Sequence, residues 1–142
     1  MALDLVGNIS LSLQIAILFL LILGLPLAKG PSGEKNFIRH GYSTLAALIL
    51  HTTLIFLEMI PTLIGGFNEF GSLTLFTSIT VWSHVVLGTA AEVLGIVIVA
   101  TWTLKGPSKM ACVSWRKWMM PTFIIWVIAI VNGALVHIFG LL

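Results

Sequence analysis

The sequence predicts an all-α integral membrane protein in which four transmembrane helices form an antiparallel bundle. Three observations predict this fold class. Hydrophobic residues make up 58% of the 142 residues and charged residues only 8%, against about a quarter charged in an ordinary soluble domain. The chain contains four long apolar stretches, and its Lys and Arg residues cluster around the first and third connections between them. A soluble protein of this length could not bury so large a fraction of hydrophobic residues in its core.

Each apolar stretch is long enough to cross a bilayer as a helix, because about 20 helical residues span roughly 30 Å of hydrocarbon. The first stretch has no preceding Lys or Arg and is longer than the apolar region of a signal peptide, so we expect it in the mature protein. Proline and glycine residues separate the stretches. We expect residues 1–142 to form a single transmembrane domain. The four predicted helices are Leu5–Leu27, Phe37–Ile60, Leu73–Leu104 and Trp118–Leu142.

The positions of the cationic residues predict the orientation. Three of the seven lie around the first connection and four around the third, whereas the connection from Pro61 to Ser72 and both termini carry none. Cytoplasmic loops are enriched in Lys and Arg. We therefore expect both basic loops inside and both termini outside, in a multi-pass protein of a prokaryotic-type cell membrane.

The same features exclude several function classes. The net charge of +2 follows from the two basic loops, and no basic face with interleaved aromatic residues indicates a nucleic-acid partner. The single cysteine, Cys112, excludes an internal disulfide. No nucleophile, Walker or zinc-protease motif is present, so we expect no catalytic residues and no autonomous hydrolase. The expected partners are the lipid bilayer and other membrane subunits.

Ionisable side chains within the apolar stretches are the candidates for function, because they are costly in hydrocarbon. We counted 1.5 Å per residue along each helix from the nearest Lys or Arg of a basic loop. This places Glu58, His84 and His137 about 28–32 Å from the cytoplasmic end of their helices. The same count places His51 and Glu92 about 18–20 Å from the cytoplasmic end, so we expect those two to meet nearer the middle of the membrane. The spacing of His51 and Glu58 keeps them within about 20° of one helix face, which should point inward.

Two glycines lie at one depth beside the outer histidines and indicate room for a flat group. Gly88 follows His84 by four residues, and Gly133 precedes His137 by four. Two facing histidines suit haem b with two axial imidazoles, for which His84, His137, Gly88 and Gly133 are the cofactor-binding candidates. Imidazoles also suit copper or another transition metal. The candidate metal ligands are Glu58, His84, His137 and His51. We expect Glu92 to contact these ligands rather than the metal itself. Small residues four apart also serve close helix packing, and a buried histidine or protonated carboxyl is often structural.

Four short motifs are Arg39-His40, Ser83 to Leu87, Ser114 to Lys117, and Pro121 to Gly133 with Trp126. Together they resemble the small four-helix membrane family that includes the oxidase assembly factor CtaM. The resemblance covers about residues 15–140 and implies a role beside haem–copper oxidases or in the delivery of their cofactors. His40 and His84 match two of the four family histidines, whereas the other two positions hold Thr62 and Trp115.

Two functions follow as expectations. The first is a haem- or metal-binding membrane protein of a respiratory-type oxidase, acting in electron transfer or assembly. The alternative is a structural accessory subunit of a larger membrane oxidase or monooxygenase, with no cofactor of its own. A channel or transporter fits less well, because the sequence shows no pair of broken half-helices.

Overall fold

The computed structural model describes residues 2–29, 34–66, 74–106 and 116–138, and these are helical almost throughout. Helix α1 is Ala2–Lys29. Helix α2 consists of α-helical Glu34–Leu54, π-helical Ile55–Met59 and α-helical Ile60–Gly66. Helices α3 and α4 are Leu75–Leu104 and Arg116–Ile138. The predicted boundaries at Leu73 and Leu142 lie outside the described residues, as do Cys112 and Trp115.

The prediction of an all-helical chain with four helices fit to cross a membrane is confirmed for the described residues. The spans that combine sufficient length with apolar composition have mean hydropathies from 1.8 to 2.3. They are Gly7–Leu27, Lys35–Gly65, Leu75–Leu104 and Arg116–His137.

Helix α2 differs from the sequence prediction, which ended it at Ile60. The backbone N–H of Ile60 donates to the carbonyl of Ile55, five residues back, and so closes a π turn. Pro61 lacks an N–H and would crowd the carbonyl four residues before it in an uninterrupted α-helix. The wider π turn lies immediately before this proline and the helix restarts with Pro61 in its first turn, where proline is tolerated.

Local chemistry sets both ends of α3. The side chain of Thr74 accepts a hydrogen bond from the backbone N–H of Thr77, as expected for an N-cap residue. At the other end, Gly106 has a φ of 83°, a left-handed conformation that costs glycine little. Its N–H donates to the carbonyl of Thr103 at 3.2 Å, so the helix ends just before the second basic loop.

The helices pack most extensively as two pairs, which we call the first hairpin (α1 and α2) and the second hairpin (α3 and α4). In the first hairpin, the hydroxyl of Ser43 donates to the carbonyl of Leu20 at 2.8 Å. In the second, the amide of Asn132 donates to the hydroxyl of Ser83 at 3.2 Å. All four helices contribute to the central core of Ile17, Leu21, Ala47, Leu48, Leu54, Ala91, Val99, Trp126 and Ile130.

The outer surface of the helices is apolar. Phe19 is 60% exposed, Phe56 66% and Ile79 60%, and similar side chains are exposed on α4. Such a surface suits contact with lipid tails, because every helix turns large hydrocarbon side chains outward. The polar side chains in the middle of the protein therefore need partners inside it.

Candidate functional site

A cluster of three polar side chains lies between the two hairpins. Nδ1 of His51 is 2.7 Å from Oε2 of Glu92, and the hydroxyl of Thr52 forms a short hydrogen bond with the other carboxyl oxygen, Oε1. His51 is 3% exposed and Glu92 8%. We refer to His51, Thr52 and Glu92 as the polar cluster.

Neighbouring residues hold the polar cluster in place. His51 and Thr52 are adjacent on α2, and Thr52 also hydrogen-bonds the carbonyl of Leu48 at 2.9 Å. The indole of Trp126, from α4, packs against the His51 ring in an edge arrangement with centroids 5.2 Å apart. The cluster thus links α2 to both helices of the second hairpin.

The structure therefore brings His51 and Glu92 together, as the depth count predicted. Glu58 behaves differently, because it lies in the π-helical segment and is only half-buried. A π turn contains more residues than an α-helical turn. The angle between His51 and Glu58 around the helix axis therefore differs from the one calculated for a regular α-helix. The structure does not bring Glu58 into the polar cluster.

His84 makes its contacts within the second hairpin and with α1. Its Nδ1 lies 2.8 Å from the carbonyl oxygen of Ala129; since a carbonyl only accepts, Nδ1 carries the hydrogen in this bond. The ring fills the space beside Gly133, where an added Cβ would come within 2.7 Å of its Cε1 and 2.8 Å of the Gln14 side-chain oxygen. Gly133 therefore accommodates His84 itself.

His137 lies at a different level of α1. Its ring packs beside Gly7, and its Nε2 is 3.2 Å from the side-chain oxygen of Asn8. Gly7 and Gln14, which mark the levels of His137 and His84, are seven residues apart, or about 10 Å along a helix. The structure thus places the two imidazoles beside α1 residues that lie about two turns apart.

Gly88 is buried, yet a Cβ added there would meet no atom within 4 Å. This space is not shared with Gly133, whose surroundings are filled. Among the residues that the structure describes, no group of three or more His, Cys, Asp and Glu side chains is arranged to hold a metal ion. Haem or metal binding by Glu58, His84, His137 and His51 stays a prediction.

A cavity of about 300 Å³ lies between the hairpins, toward the end of the molecule where the basic loops begin. Gly95 and Trp126 line its inner end. Gly95 follows Glu92 by three residues on α3, which is about one helical turn. The exposed side chain of Arg116 lies at its rim. Most of the lining is apolar, including Leu21, Phe37, Ile98, Val99, Met119 and Phe123.

Two tryptophans that line the cavity have buried indole N–H groups. Nε1 of Trp102 and Nε1 of Trp126 have no hydrogen-bond acceptor among the described residues. Trp102 lies directly on Gly41, where an added Cβ would be 2.2 Å from its Cζ2. A buried donor without an acceptor costs about 1–3 kcal/mol, so an acceptor that reached either indole would stabilise the protein.

His40 also lines the cavity. Its Nδ1 is 3.0 Å from the carbonyl oxygen of Gly24, across the first hairpin. Because the carbonyl accepts, Nδ1 holds the hydrogen and the neutral ring keeps a lone pair on Nε2. His40 can therefore offer an acceptor to a molecule in the cavity.

Sequence reasoning missed Thr52 and the indole-lined cavity. Thr52 was detectable, since it adjoins His51 and its hydroxyl is one of the few polar groups at that depth. The pairing of Gly41 with Trp102 left no local signal, because the two residues are 61 positions apart in the sequence.

The chain has no significant match among protein-family models, curated proteins or solved structures. The geometry of the polar cluster and the cavity therefore carries the functional argument.

Proposed function

We propose that this chain is a membrane protein that binds a lipid-soluble cofactor of the quinone type in the cavity between the hairpins. The observation that carries the proposal is an apolar cavity lined by Trp102 and Trp126, whose buried indole N–H groups lack acceptors among the described residues. A quinone combines an apolar ring with carbonyl oxygens that accept hydrogen bonds. Such oxygens are suitable acceptors for indole donors and bring no charge into the cavity.

The size and lining of the cavity support a single-ring head group. Small-molecule sites span about 300–1,000 Å³, and this cavity of about 300 Å³ lies at the lower limit. A four-ring macrocycle would need the helices to separate. The lone pair on Nε2 of His40 suits the hydroxyl of a reduced quinone, and Arg116 at the rim suits a further oxygen.

The proposal keeps the cofactor-binding function expected from the sequence but moves the site toward the basic loops. The resemblance of the motifs at His40 and Arg116 to the oxidase-assembly family supports an association with a respiratory-type oxidase. We include in the proposal an antiparallel four-helix bundle, with both termini outside, in a prokaryotic-type cell membrane. A hydrophobic quinone would then reach the cavity from the lipid.

The test measures binding of a short-chain quinone to the protein in lipid nanodiscs by calorimetry. Trp102→Phe and Trp126→Phe keep the aromatic bulk but remove one donor each. A hydrogen bond contributes about 1 kcal/mol, so each variant should bind about fivefold more weakly. Trp82→Phe is the control, because Trp82 is exposed on α3 and does not line the cavity.

Three results would overturn the proposal. Equal affinity in Trp82→Phe and the two cavity variants would show that the indoles do not hold the quinone. A Soret band in protein purified from its native membrane, lost in both His84→Ala and His137→Ala, would favour haem at the sequence-predicted residues instead. Absence of quinone binding and of any extractable cofactor, with stable co-purification of larger subunits, would favour the structural accessory subunit.

A further inference from the structure

The hydrogen atoms of the polar cluster can be counted from its contacts. The Thr52 hydroxyl has one hydrogen but two partners, the carbonyl of Leu48 at 2.9 Å and Oε1 of Glu92. A backbone carbonyl can only accept. If the Thr52 hydrogen points to Leu48, the contact with Oε1 is a hydrogen bond only when Oε1 carries a hydrogen of its own.

Other threonines of α2 show where such a hydroxyl points in this helix. Thr53 donates to the carbonyl of Ile49 at 2.8 Å, and Thr44 donates to that of His40 at 3.0 Å. Both bonds span four residues, as does the one from Thr52 to Leu48, and this is the usual bond of a helical threonine. The geometry of Thr52 therefore matches a hydroxyl that donates to its own helix.

We propose that Glu92 is a neutral carboxylic acid and that the polar cluster is a proton-binding site buried between the hairpins. Its hydrogen bonds run in one direction. Nδ1–H of His51 donates to Oε2 of Glu92, Oε1–H of Glu92 donates to Thr52, and the Thr52 hydroxyl donates to the carbonyl of Leu48. The inference does not depend on what occupies the cavity.

The surroundings favour the neutral form. Hydrocarbon disfavours an isolated charge, and the cluster faces the apolar core through Leu48 and Trp126. The nearest other titratable groups on α2 and α3 are Glu58, seven residues from His51, and His84, eight residues from Glu92, each about 10–12 Å along its helix. From α4, the group facing His51 is the uncharged indole of Trp126.

The same heavy-atom positions also serve the deprotonated state. With Glu92 deprotonated, Oε1 is an acceptor, and the Thr52 hydroxyl can turn from Leu48 to this oxygen. Only one hydroxyl hydrogen moves, so the helices need not rearrange. The hydrogen-bond chain ends on a backbone carbonyl, which has no proton to pass on, so the cluster stores a proton rather than conducting it through the bundle.

Infrared spectroscopy of the protein in lipid bilayers tests this inference. A protonated carboxyl has a C=O stretch that a carboxylate lacks. We expect this band in the wild-type protein and a shift of the band in D2O. Glu92→Gln should remove it while preserving the fold, because the amide can donate to Thr52 and accept from His51 as the acid does.

Two matched pairs of variants assign the band. Thr52→Val removes the acceptor of the acid hydrogen and should shift the band, whereas Thr53→Val, which removes an exposed hydroxyl one residue away, should not. Glu58→Gln should leave the band in place. The inference is overturned if the band is absent and nitrogen NMR shows His51 protonated on both ring nitrogens, or if Glu58→Gln removes the band and Glu92→Gln does not. A band that does not shift in D2O would also overturn it.

Discussion

The imidazole of His84 occupies the space that the missing side chain of Gly133 leaves, and its Nδ1 is held 2.8 Å from the carbonyl oxygen of Ala129. A Cβ at position 133 would lie 2.7 Å from Cε1 of that ring. The hydrogen bond to Ala129 prevents the ring from moving freely. The glycine is thus required for histidine packing within the second hairpin.

Gly133→Ala should therefore destabilise the protein. Overpacking of a filled site costs about 1–3 kcal/mol, which we expect as a lower free energy of unfolding in mixed detergent micelles. Gly88→Ala is the control, because a Cβ there has open space. Equal stability of the two variants would contradict the packing of His84 on Gly133.

Gly41→Ala should abolish quinone binding in the cavity. The added Cβ would be 2.2 Å from the Trp102 ring, so the indole has to move from its place in the cavity wall. Near-ultraviolet circular dichroism should report the displaced indole, and calorimetry the lost affinity. In Gly65→Ala, where a Cβ meets nothing within 4 Å, both measurements should be unchanged. A Gly41→Ala protein that binds quinone as tightly as wild type would place the ligand elsewhere.

The two histidines His51 and His137 should differ sharply in their contribution to stability. His51→Ala leaves Glu92 without its donor in a buried site, for which we expect a loss of about 1–3 kcal/mol. His137 makes a longer, 3.2 Å contact with Asn8 near the end of α4, and that contact is exposed. His137→Ala should lower the free energy of unfolding much less in the same assay. The reverse order would show that the polar cluster does not stabilise the hairpin contact.

Membrane orientation is testable with an impermeant thiol reagent on intact cells. Native Cys112 follows the third predicted helix and should remain unlabelled, because the basic loops are expected inside. In a Cys112→Ser background, Asn68→Cys should be labelled from outside and Gly33→Cys only after the membrane is opened. All three positions lie outside the described residues, so labelling tests the orientation independently. External labelling of Gly33→Cys alone would reverse the topology.

Composition and charge alone predicted the helical class and the number of membrane-crossing helices. Hydrocarbon thickness and helix rise convert apolar length directly into a span, so no contact between helices is needed. The same counting placed His51 and Glu92 at one level, since depth along a helix depends only on residue number. The structure pairs these two residues at 2.7 Å.

Only the tertiary structure decided which side chains meet at each level. His84 and His137 were expected to face each other, but their contacts lie at separate levels of α1, next to Gln14 and Gly7. The π turn at Ile55–Met59 changes the helical register after His51, and Glu58 is half-buried outside the polar cluster. Helix rotation, the choice of side-chain rotamer and close packing over a distant glycine determine these contacts, and none of them is encoded in residue spacing along one helix.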